Sequence, residues 1–507
     1  MSPRRSSCAA RGASAIAALF SASCTVVYDP DDFALERDAT AGEVADAELD
    51  SGPRADAAAP AVSHIEPQRL FEGVGSTGSA AAVVIHGQAL SPDLEVRTDS
   101  DLVDIESVTV SGDGAVAAAA VRVSVEPDLE AETIAEAELE ISQGEFSATE
   151  VLEIEGLEVL TLTEDKVVDE DTFADLYAEI HVDDAVELTG EHPARLRATG
   201  SITVSALLDA SGGLDGVRSP GAGGCAGGGE SEPGACRGGG DAGSGGGAGG
   251  GGGHGEDGAS GGGDGSGDGG ATAGGALVSP LGGPEYEPGD NVARGSGGGG
   301  GASNPLFSDG GAGGGGGGVV ELSSWGDITL TERVTTDGGR AQSGSGLDCG
   351  GGGGGGSGGA ILLRAGGSIS AAGASLRARG GGGEGEDCDK RGGDGGAGRI
   401  RVDAPGSALP GDLDANPSPV RGPMWEQPLP AVVTSETFAV AYVAEPGNHY
   451  AASVDGVVTD TDLPDDGAGE LSAELTPGLN EVCLLLPAVY DRELPESRNC
   501  RHIAYIP

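Results

Sequence analysis

One pattern occurs three times in the chain: ARLRATGSITVSALLDASGG at residues 194–213, VELSSWGDITLTERVTTDGG at residues 320–339 and ILLRAGGSISAAGASLRARGG at residues 361–381. The equivalent positions are a leucine (Leu196, Leu322, Leu363), a small residue (Ala198, Ser324, Ala365), a glycine (Gly200, Gly326, Gly367) and an isoleucine (Ile202, Ile328, Ile369). Each copy contains short alternating strands and cannot bury its apolar side alone. Repeats of this kind are stabilised by stacking.

The repeat predicts a short right-handed parallel β-helix over residues 161–410. Equivalent apolar residues would point inward and form ladders, while polar residues alternate with them on the outside. GRIRVDAPG is a truncated copy with Val402 at the leucine position, and AEIHVDDAVELTG is a further candidate copy before the first. Four or five coils at about 4.8 Å each would form a stack about 20 to 25 Å tall.

Long glycine-rich insertions separate the copies, at residues 213–318, 338–359 and 379–398. Glycine loses the most backbone entropy on ordering and has no side chain to bury. We therefore expect a flexible or loosely ordered flap that leaves one corner of the β-helix. A bundle of polyproline II strands is the alternative, because glycine also allows chains to approach closely.

Alternating residues on both sides of this region predict two β-sandwiches, so the expected fold class is all-β. Residues 61–160 resemble the immunoglobulin-like TIG family, whose I-x-P and V-x-I-x-G-x-x-L pattern is matched by Ile65, Pro67, Val83, Ile85, Gly87, Leu90 and Val96. The resemblance implies a spacer or interaction module rather than a reaction. Residues 418–507 predict a second immunoglobulin-like β-sandwich at the carboxyl terminus.

The amino terminus predicts export. Three arginines precede a short apolar run at residues 13–20, which is too short to span a bilayer, and small residues follow before Cys24. Residues 1–23 are therefore a predicted signal peptide. The small residues before Cys24 resemble the lipobox of bacterial lipoproteins, which implies lipidation of Cys24 and a membrane anchor; ordinary cleavage is the alternative. Residues 24–60 are acidic, poor in large apolar residues and predicted to be a disordered linker.

The charge excludes one class of partner. The formal net charge is -55, and Lys166 and Lys390 are the only lysines. Nucleic acid is bound by releasing counterions from its phosphates to basic side chains, so we expect no nucleic-acid partner. A large negative charge of this kind keeps an exported protein soluble. Calcium binding is the more specific explanation of the same acidity.

Six cysteines remain once Cys8 in the signal peptide and Cys24 are set aside. They are Cys225, Cys236, Cys349, Cys388, Cys483 and Cys500. An even number in an exported chain predicts disulfides. Cys225 with Cys236 would close a small loop, Cys349 and Cys388 would meet if the coils stack, and Cys483 with Cys500 would join the last two strands. No CxxC pair favours the alternative of a zinc site.

No set of residues has the spacing of a catalytic site. The seven histidines are scattered, and the G-x-G-x-x-G matches lie in glycine runs rather than between a strand and a helix. Polysaccharide lyases and hydrolases share the β-helix fold, so a glycan-active enzyme is an alternative; its candidate carboxylates are Asp183, Asp184, Asp209, Asp327 and Asp403. A calcium-dependent adhesin is another, with candidate ligands at Asp460, Asp462, Asp465 and Asp466.

The glycine runs and the G-x-G-R-I-R-V ending resemble a group of glycine-rich bacterial surface proteins. Together with the predicted lipid anchor, this resemblance implies a non-enzymatic lipoprotein of the cell surface or outer membrane. We expect it to serve display, adhesion or envelope structure, with no required cofactor. Its partners would be the membrane, through the lipid, and an extracellular glycan or protein.

Overall fold

The computed structural model describes residues 59–507 apart from several gaps. The gaps are residues 127–128, 130, 170–171, 174, 215, 237, 245–246, 254–256, 263–295, 303–307, 347–349, 386–389, 406–412, 423, 444–448, 463–467 and 486–497. Within the described residues the chain forms β-strands and no helix. The protein is therefore all-β, as its alternating residues predict.

Eight strands form two sheets between residues 61 and 155. They are β1 (Ala61–Glu66), β2 (Arg69–Phe71), β3 (Ala81–Gln88), β4 (Glu95–Thr98), β5 (Val103–Val110), β6 (Val116–Val123), β7 (Ile134–Gln143) and β8 (Phe146–Glu155). One sheet has the order β1-β3-β6-β5 and the other β2-β8-β7-β4. Residues such as Val83, Leu139 and Ile154 form one buried core between them. The two sheets therefore pack face to face, each with one side against the core.

Sixteen strands form three parallel sheets around a second core, which we call the three-sheet core. Sheet 1 contains β9 (Val159–Leu162), β11 (Glu179–Val182), β14 (Ile202–Val204), β18 (Ile328–Leu330) and β22 (Ile369–Ser370). Sheet 2 contains β10 (Lys166–Val167), β12 (Val186–Thr189), β15 (Leu208–Asp209), β19 (Val334–Thr335), β23 (Ser375–Arg377) and β25 (Asp414–Asn416). Sheet 3 contains β13 (Ala194–Ala198), β17 (Val319–Ser324), β21 (Ala360–Ala365), β24 (Arg399–Asp403) and β26 (Val420–Arg421).

The register of these sheets confirms the correspondence between the repeats. Leu196 pairs with Leu322, and Leu322 with Leu363. The isoleucines at the next strand pair in the same order. From β11 to β24 the chain visits sheets 1, 2 and 3 in a fixed rotation, so each copy adds one strand to each sheet. Sheets 2 and 3 continue through β25 and β26, beyond residue 410.

The glycine-rich insertions all leave from one corner of the three-sheet core. Each begins after a strand of sheet 2 (β15, β19 or β23) and ends at the next strand of sheet 3 (β17, β21 or β24). The inward repeat leucines, with Ile202 and Ile328, are fully buried, and Ile369 is partly buried against the same core. Burial of such a side chain contributes roughly 1.5 to 3 kcal/mol. Stacked apolar ladders therefore fix the positions from which the insertions start.

The repeated glycine lies at another corner, where the first pair of sheets contacts the three-sheet core. The loop after β2 passes along this corner: Gly73 lies against Thr199, Thr77 against Gly326 and Gly78 against Gly367. A methyl group at Gly326 or Gly367 would lie inside 3.0 Å of a side-chain oxygen. These two glycines therefore have no space for a Cβ.

Glu72 fixes the same junction from a fully buried position. Its carboxylate accepts hydrogen bonds from the amides of Leu157 and Glu126, and its carbonyl accepts one from the hydroxyl of Thr199. Burial raises the pKa of Glu72 above its ordinary value, and the two amide bonds oppose that shift. One residue thus joins the first pair of sheets, the following linker and the three-sheet core.

The last strands form two further sheets. They are β27 (Met424–Trp425), β28 (Val432–Val433), β29 (Thr437–Val443), β30 (His449–Val454), β31 (Val457–Asp462), β32 (Ala468–Glu474), β33 (Gly478–Leu485) and β34 (Arg498–Tyr505). The sheets have the orders β27-β29-β32 and β28-β34-β33-β30-β31, and they share a core that includes Trp425, Tyr442 and Ile503. Ala504 and Ile506 pack against Val84 of the first pair of sheets.

Two short strands lie within the insertions. β16 (Ser308–Asp309) and β20 (Ser345–Gly346) pair in antiparallel fashion.

Candidate functional site: the glycine bundle

The described residues of the three insertions pack into one assembly, which we call the glycine bundle. Residues 296–302 lie at its centre and are buried, although they belong to no strand. Their amides donate hydrogen bonds, in order, from Gly297 to Ala235, Gly298 to Gly314, Gly299 to Gly250, Gly300 to Glu232, Gly301 to Gly311 and Ala302 to Gly247. Every third amide thus returns to the same neighbouring segment. Three residues per turn without bonds inside the segment is the repeat of a polyproline II helix.

Residues 351–358 show the same period. Their amides donate, in order, from Gly351 to Ala302, Gly352 to Lys390, Gly353 to Gln342, Gly354 to Gly299, Gly355 to Gly393, Gly356 to Gly339, Ser357 to Ser296 and Gly358 to Gly396. The three neighbours come from all three insertions. The insertions therefore form a single hydrogen-bonded body rather than three separate loops.

Close backbone approach explains why the central segments are almost pure glycine. A methyl group at Gly298 would lie well inside 3.0 Å of the carbonyl oxygen of Gly354, and one at Gly301 would meet that of Gly351 in the same way. By contrast, a methyl at Gly382 would meet nothing nearer than 3.7 Å. Gly382 belongs to a segment at the edge of the bundle. The need for glycine thus depends on whether the backbone of a neighbouring segment faces the position.

The expectation of a flexible flap is wrong for these residues, and the polyproline II alternative fits them. Glycine offers no side chain to bury, but each amide and carbonyl of a central segment finds a partner in a neighbour. A buried backbone group without a partner is costly, whereas a paired one contributes to stability. The bundle is therefore ordered through backbone hydrogen bonds, which composition alone does not reveal.

The turns of the bundle gather at the end away from the three-sheet core. Residues 350–359 run directly into β21, and at about 3.1 Å per residue they cover about 30 Å. We call the far end the outer end and define it by residues 229–232, 243–244, 308–310 and 344–346. There β16 pairs with β20, and the amide of Gly310 donates to Glu230 Oε1 at 3.1 Å. Turns from different insertions thus lie side by side.

Ion pairs join segments along the edge of the bundle. Arg379 donates through Nε to Asp337 Oδ1 and through Nη2 to Asp337 Oδ2, and Arg340 Nε lies 3.2 Å from Glu384 Oε1. The hydrogen bond to Asp337 raises the pKa of Arg379. Asp337 and Arg340 are three residues apart, so they lie on the same side of a threefold segment. Both pairs connect the second insertion to the third and fix their relative register.

Disulfides join two of the predicted pairs of cysteines. Cys225 is bonded to Cys236 inside the glycine bundle, with Cα atoms 6.1 Å apart. Cys483 is bonded to Cys500 between β33 and β34. Cys349 and Cys388 lie outside the described residues, as does the candidate lipidation site Cys24.

One group of possible metal ligands lies close together in the described part of the chain: Glu481, Cys483 and Cys500. Its two sulfurs form the disulfide and are therefore not thiolate ligands. Of the candidate calcium ligands, Asp465 and Asp466 lie outside the described residues. Asp460 and Asp462 are at the end of β31, where only the backbone is described.

The candidate carboxylates of a glycan-active site lie on different faces of the three-sheet core. Asp209 is in sheet 2 and accepts a hydrogen bond from the amide of Ser211. Asp327 precedes sheet 1 and accepts hydrogen bonds from Ser368. Asp183 follows β11 and accepts one from Ser205 Oγ, and its neighbour Asp184 is exposed. The described structure does not bring these groups together.

Asp403, the remaining carboxylate, lies in a buried group of arginines on the outer face of sheet 3. It receives two hydrogen bonds from Arg401, at 2.7 and 2.6 Å, and Arg364 Nε lies 3.5 Å away. Arg501 is buried beside Arg364; burial first, and then the charge of Arg364, lowers its pKa to about 10. Burial also lowers the pKa of Arg421, while Asp403 opposes that shift. Asp403 is thus part of an ionic cluster between sheet 3 and β34.

No protein-family model matches this sequence, and no curated protein is significantly similar to it. None of the described residues belongs to a helix long and apolar enough to cross a membrane. The sequence did not predict that the described residues of the glycine bundle form the candidate site. A usable signal is present in the sequence, because unbroken runs such as residues 350–356 contrast with edge segments such as GGRAQ at residues 338–342.

Proposed function

We propose that this protein is a non-enzymatic lipoprotein of the bacterial cell surface or outer membrane, where it serves display, adhesion or envelope structure. In this proposal Cys24 carries the lipid and residues 24–60 form a linker. The three-sheet core is a short right-handed parallel β-helix with long glycine-rich insertions. The sheets before and after it are immunoglobulin-like sandwiches, the first of the TIG type.

The observation that carries the proposal is the ordered glycine bundle. Segments from three insertions share backbone hydrogen bonds, and turns from the first two meet at the outer end. Binding residues commonly lie on loops held by a rigid support. A bundle with almost no side chains inside is a support of this kind, because it holds turns at fixed positions about 30 Å from the three-sheet core.

Charge and the amino-terminal sequence support the same location. A net charge of -55 favours solubility outside the cell and disfavours binding to nucleic acid. The basic residues, apolar run and small residues before Cys24 have the order of a lipoprotein signal.

Lipid attachment is tested by expressing the full chain and a Cys24→Ser variant in a bacterial host. We expect the native chain to be recovered in the membrane fraction, with an amino-terminal mass that includes acyl chains. The Cys24→Ser chain should lack that mass and appear in the soluble exported fraction. A native chain that lacks the acyl mass and is recovered in the same fraction as Cys24→Ser would contradict the anchor.

Display is tested by inserting a short epitope between Ser343 and Gly344, next to the outer end. We expect antibody to bind this epitope on intact cells. The matched control is the same epitope between Gly249 and Gly250, which are buried in the bundle; that insertion should disrupt the bundle. A stably produced outer-end chain that antibody reaches only after the cells are broken would overturn display on the surface.

A further inference from the structure

Two histidines face each other across β1 and β3 on the side of the sheet away from its core. His64 pairs directly with His86 in the strand register. Their rings are stacked, with centroids 4.3 Å apart and planes 7° from parallel. Side chains opposite each other on neighbouring strands have Cβ atoms about 4.5 to 5.5 Å apart. Two imidazoles this close together can reach one ion once a ring turns out of the stack.

The hydroxyl of Ser63 determines which nitrogen of His64 carries the proton. Ser63 Oγ donates its single proton to the carbonyl oxygen of His86 at 2.9 Å. It also lies 3.1 Å from His64 Nδ1, so in this contact the oxygen accepts and Nδ1 donates. Neutral His64 then has a bare lone pair on Nε2. Histidines that bind metals commonly donate their other ring N–H in this way.

Glu66 supplies a third ligand on the same side of β1. Its Oε2 atom lies 3.3 Å from His86 Nε2, and both side chains are about one quarter exposed. In a tetrahedral zinc site with bonds of about 2.0 to 2.1 Å, neighbouring ligand atoms are about 3.3 Å apart. His86 and Glu66 therefore already have the separation of two zinc ligands.

We propose that His64, His86 and Glu66 form a surface binding site for a divalent transition-metal ion of the zinc class. In the stacked arrangement the donor atom of His64 does not yet converge with the other two. The His64 ring is exposed, so it is free to tilt about its side-chain bonds until Nε2 faces the ion. The ion takes the place of the proton that His86 Nε2 shares with Glu66, and the neutral His86 ring then carries its proton on Nδ1 instead. Water completes the coordination.

A second histidine and glutamate pair in the same chain provides a control. His181 Nε2 lies 3.3 Å from Glu179 Oε2, with exposures close to those of His86 and Glu66. The strand partners of His181 are Thr161 and Thr203, so no second imidazole faces it. The two pairs differ mainly in the presence of His64.

Calorimetric titration of the untagged full chain with zinc chloride tests the site. We expect one zinc ion to bind, and His64→Ala or His86→Ala to weaken binding at least about tenfold, equivalent to about 1.4 kcal/mol. Ser63→Ala should weaken it by about tenfold, because loss of such an outer hydrogen bond typically costs 10 to 100-fold. His181→Ala should bind zinc like the native chain.

Nitrogen-15 spectra of the imidazoles distinguish ligation from an indirect structural effect. We expect zinc to shift Nε2 of His64 and His86 while Nδ1 of His64 stays protonated. A native chain that binds no zinc at millimolar concentration would overturn the site. So would equal affinity in the native and His64→Ala chains, or a zinc-induced shift at His181 alone.

Discussion

The three-sheet core and the glycine bundle are both built from neighbouring segments joined by backbone hydrogen bonds, but they differ in what fills the space between segments. In the three-sheet core, leucine and isoleucine ladders are buried between the sheets. In the bundle the segments lie so close that positions such as Gly298 and Gly301 exclude even a single methyl group. The comparison teaches that a packed region needs satisfied backbone groups, and that apolar side chains are one of two ways to fill the interior.

The two regions should therefore respond differently to substitution. The core tolerates small changes at equivalent positions, since Ala198, Ser324 and Ala365 pair with one another. The central glycines of the bundle tolerate none, because a Cβ added at Gly298 or Gly301 meets the backbone of a neighbouring segment. We expect the core to be sensitive to loss of volume and the bundle to gain of volume.

The largest effect is expected in the three-sheet core. Leu322→Ala removes a fully buried side chain from the leucine ladder, and we expect a loss of about 2 to 5 kcal/mol in the free energy of unfolding. Urea unfolding measures it. Thr329→Ala, on the outer face of β18, is the control and should change stability by less than about 0.5 kcal/mol. Equal losses of stability in the two variants would mean that the leucine ladder does not stabilise the core.

The disulfide of the bundle should have the next largest effect. Replacing Cys225 and Cys236 by serine removes a link that closes a loop of 11 residues in sequence separation, and loop-closure entropy gives about 2 to 3 kcal/mol. We expect amide hydrogen exchange to accelerate in the bundle and to stay slow in the three-sheet core. Faster exchange of both regions together would show that they unfold as one unit.

Overpacking at the centre of the bundle should reduce stability somewhat less than loss of the disulfide. Gly298→Ala forces a methyl against the carbonyl of Gly354, and overpacking of this kind costs about 1 to 3 kcal/mol. Gly382→Ala is the matched control, because its methyl meets nothing nearer than 3.7 Å. It should be neutral or stabilising by about 0.4 to 1 kcal/mol, since alanine restricts the unfolded chain. Thermal unfolding measures the stability of both variants. In a loosely packed bundle the two variants would be equally stable.

The smallest effect is expected at the edge of the bundle. Asp337→Asn removes the charge that faces Arg379 but keeps an oxygen that can accept from the Arg379 amide. Partly exposed ion pairs contribute about 0.2 to 1 kcal/mol, and salt screens them. We expect the difference in stability between the two chains to shrink as salt is raised. A difference independent of salt would assign the effect to hydrogen bonding alone.

The repeat made much of the three-sheet core predictable. Leucine and isoleucine recur at fixed offsets, so the sequence alone aligns the strands of sheets 1 and 3 and places all three insertions at one corner. The glycine that follows each of these strands in sheet 3 is visible in the sequence as a repeated residue. The sequence does not show why glycine is required there. At Gly326 the reason is Thr77, in a loop that comes from a separate pair of sheets and is distant in sequence, whereas at Gly200 and Gly367 the nearest atoms belong to Ala178 and Asp327.

The sequence by itself determined the all-β class, the stacking register and the corner where the insertions leave, because periodic side chains record which positions point inward. Only the tertiary structure decided that the glycine runs form an ordered bundle and that the candidate carboxylates lie apart. Glycine has no side chain, so a run of glycines does not indicate which segment it contacts. The acceptors of residues 297–302 lie as far away as residue 232, so their pairing is decided by backbone contacts between distant segments.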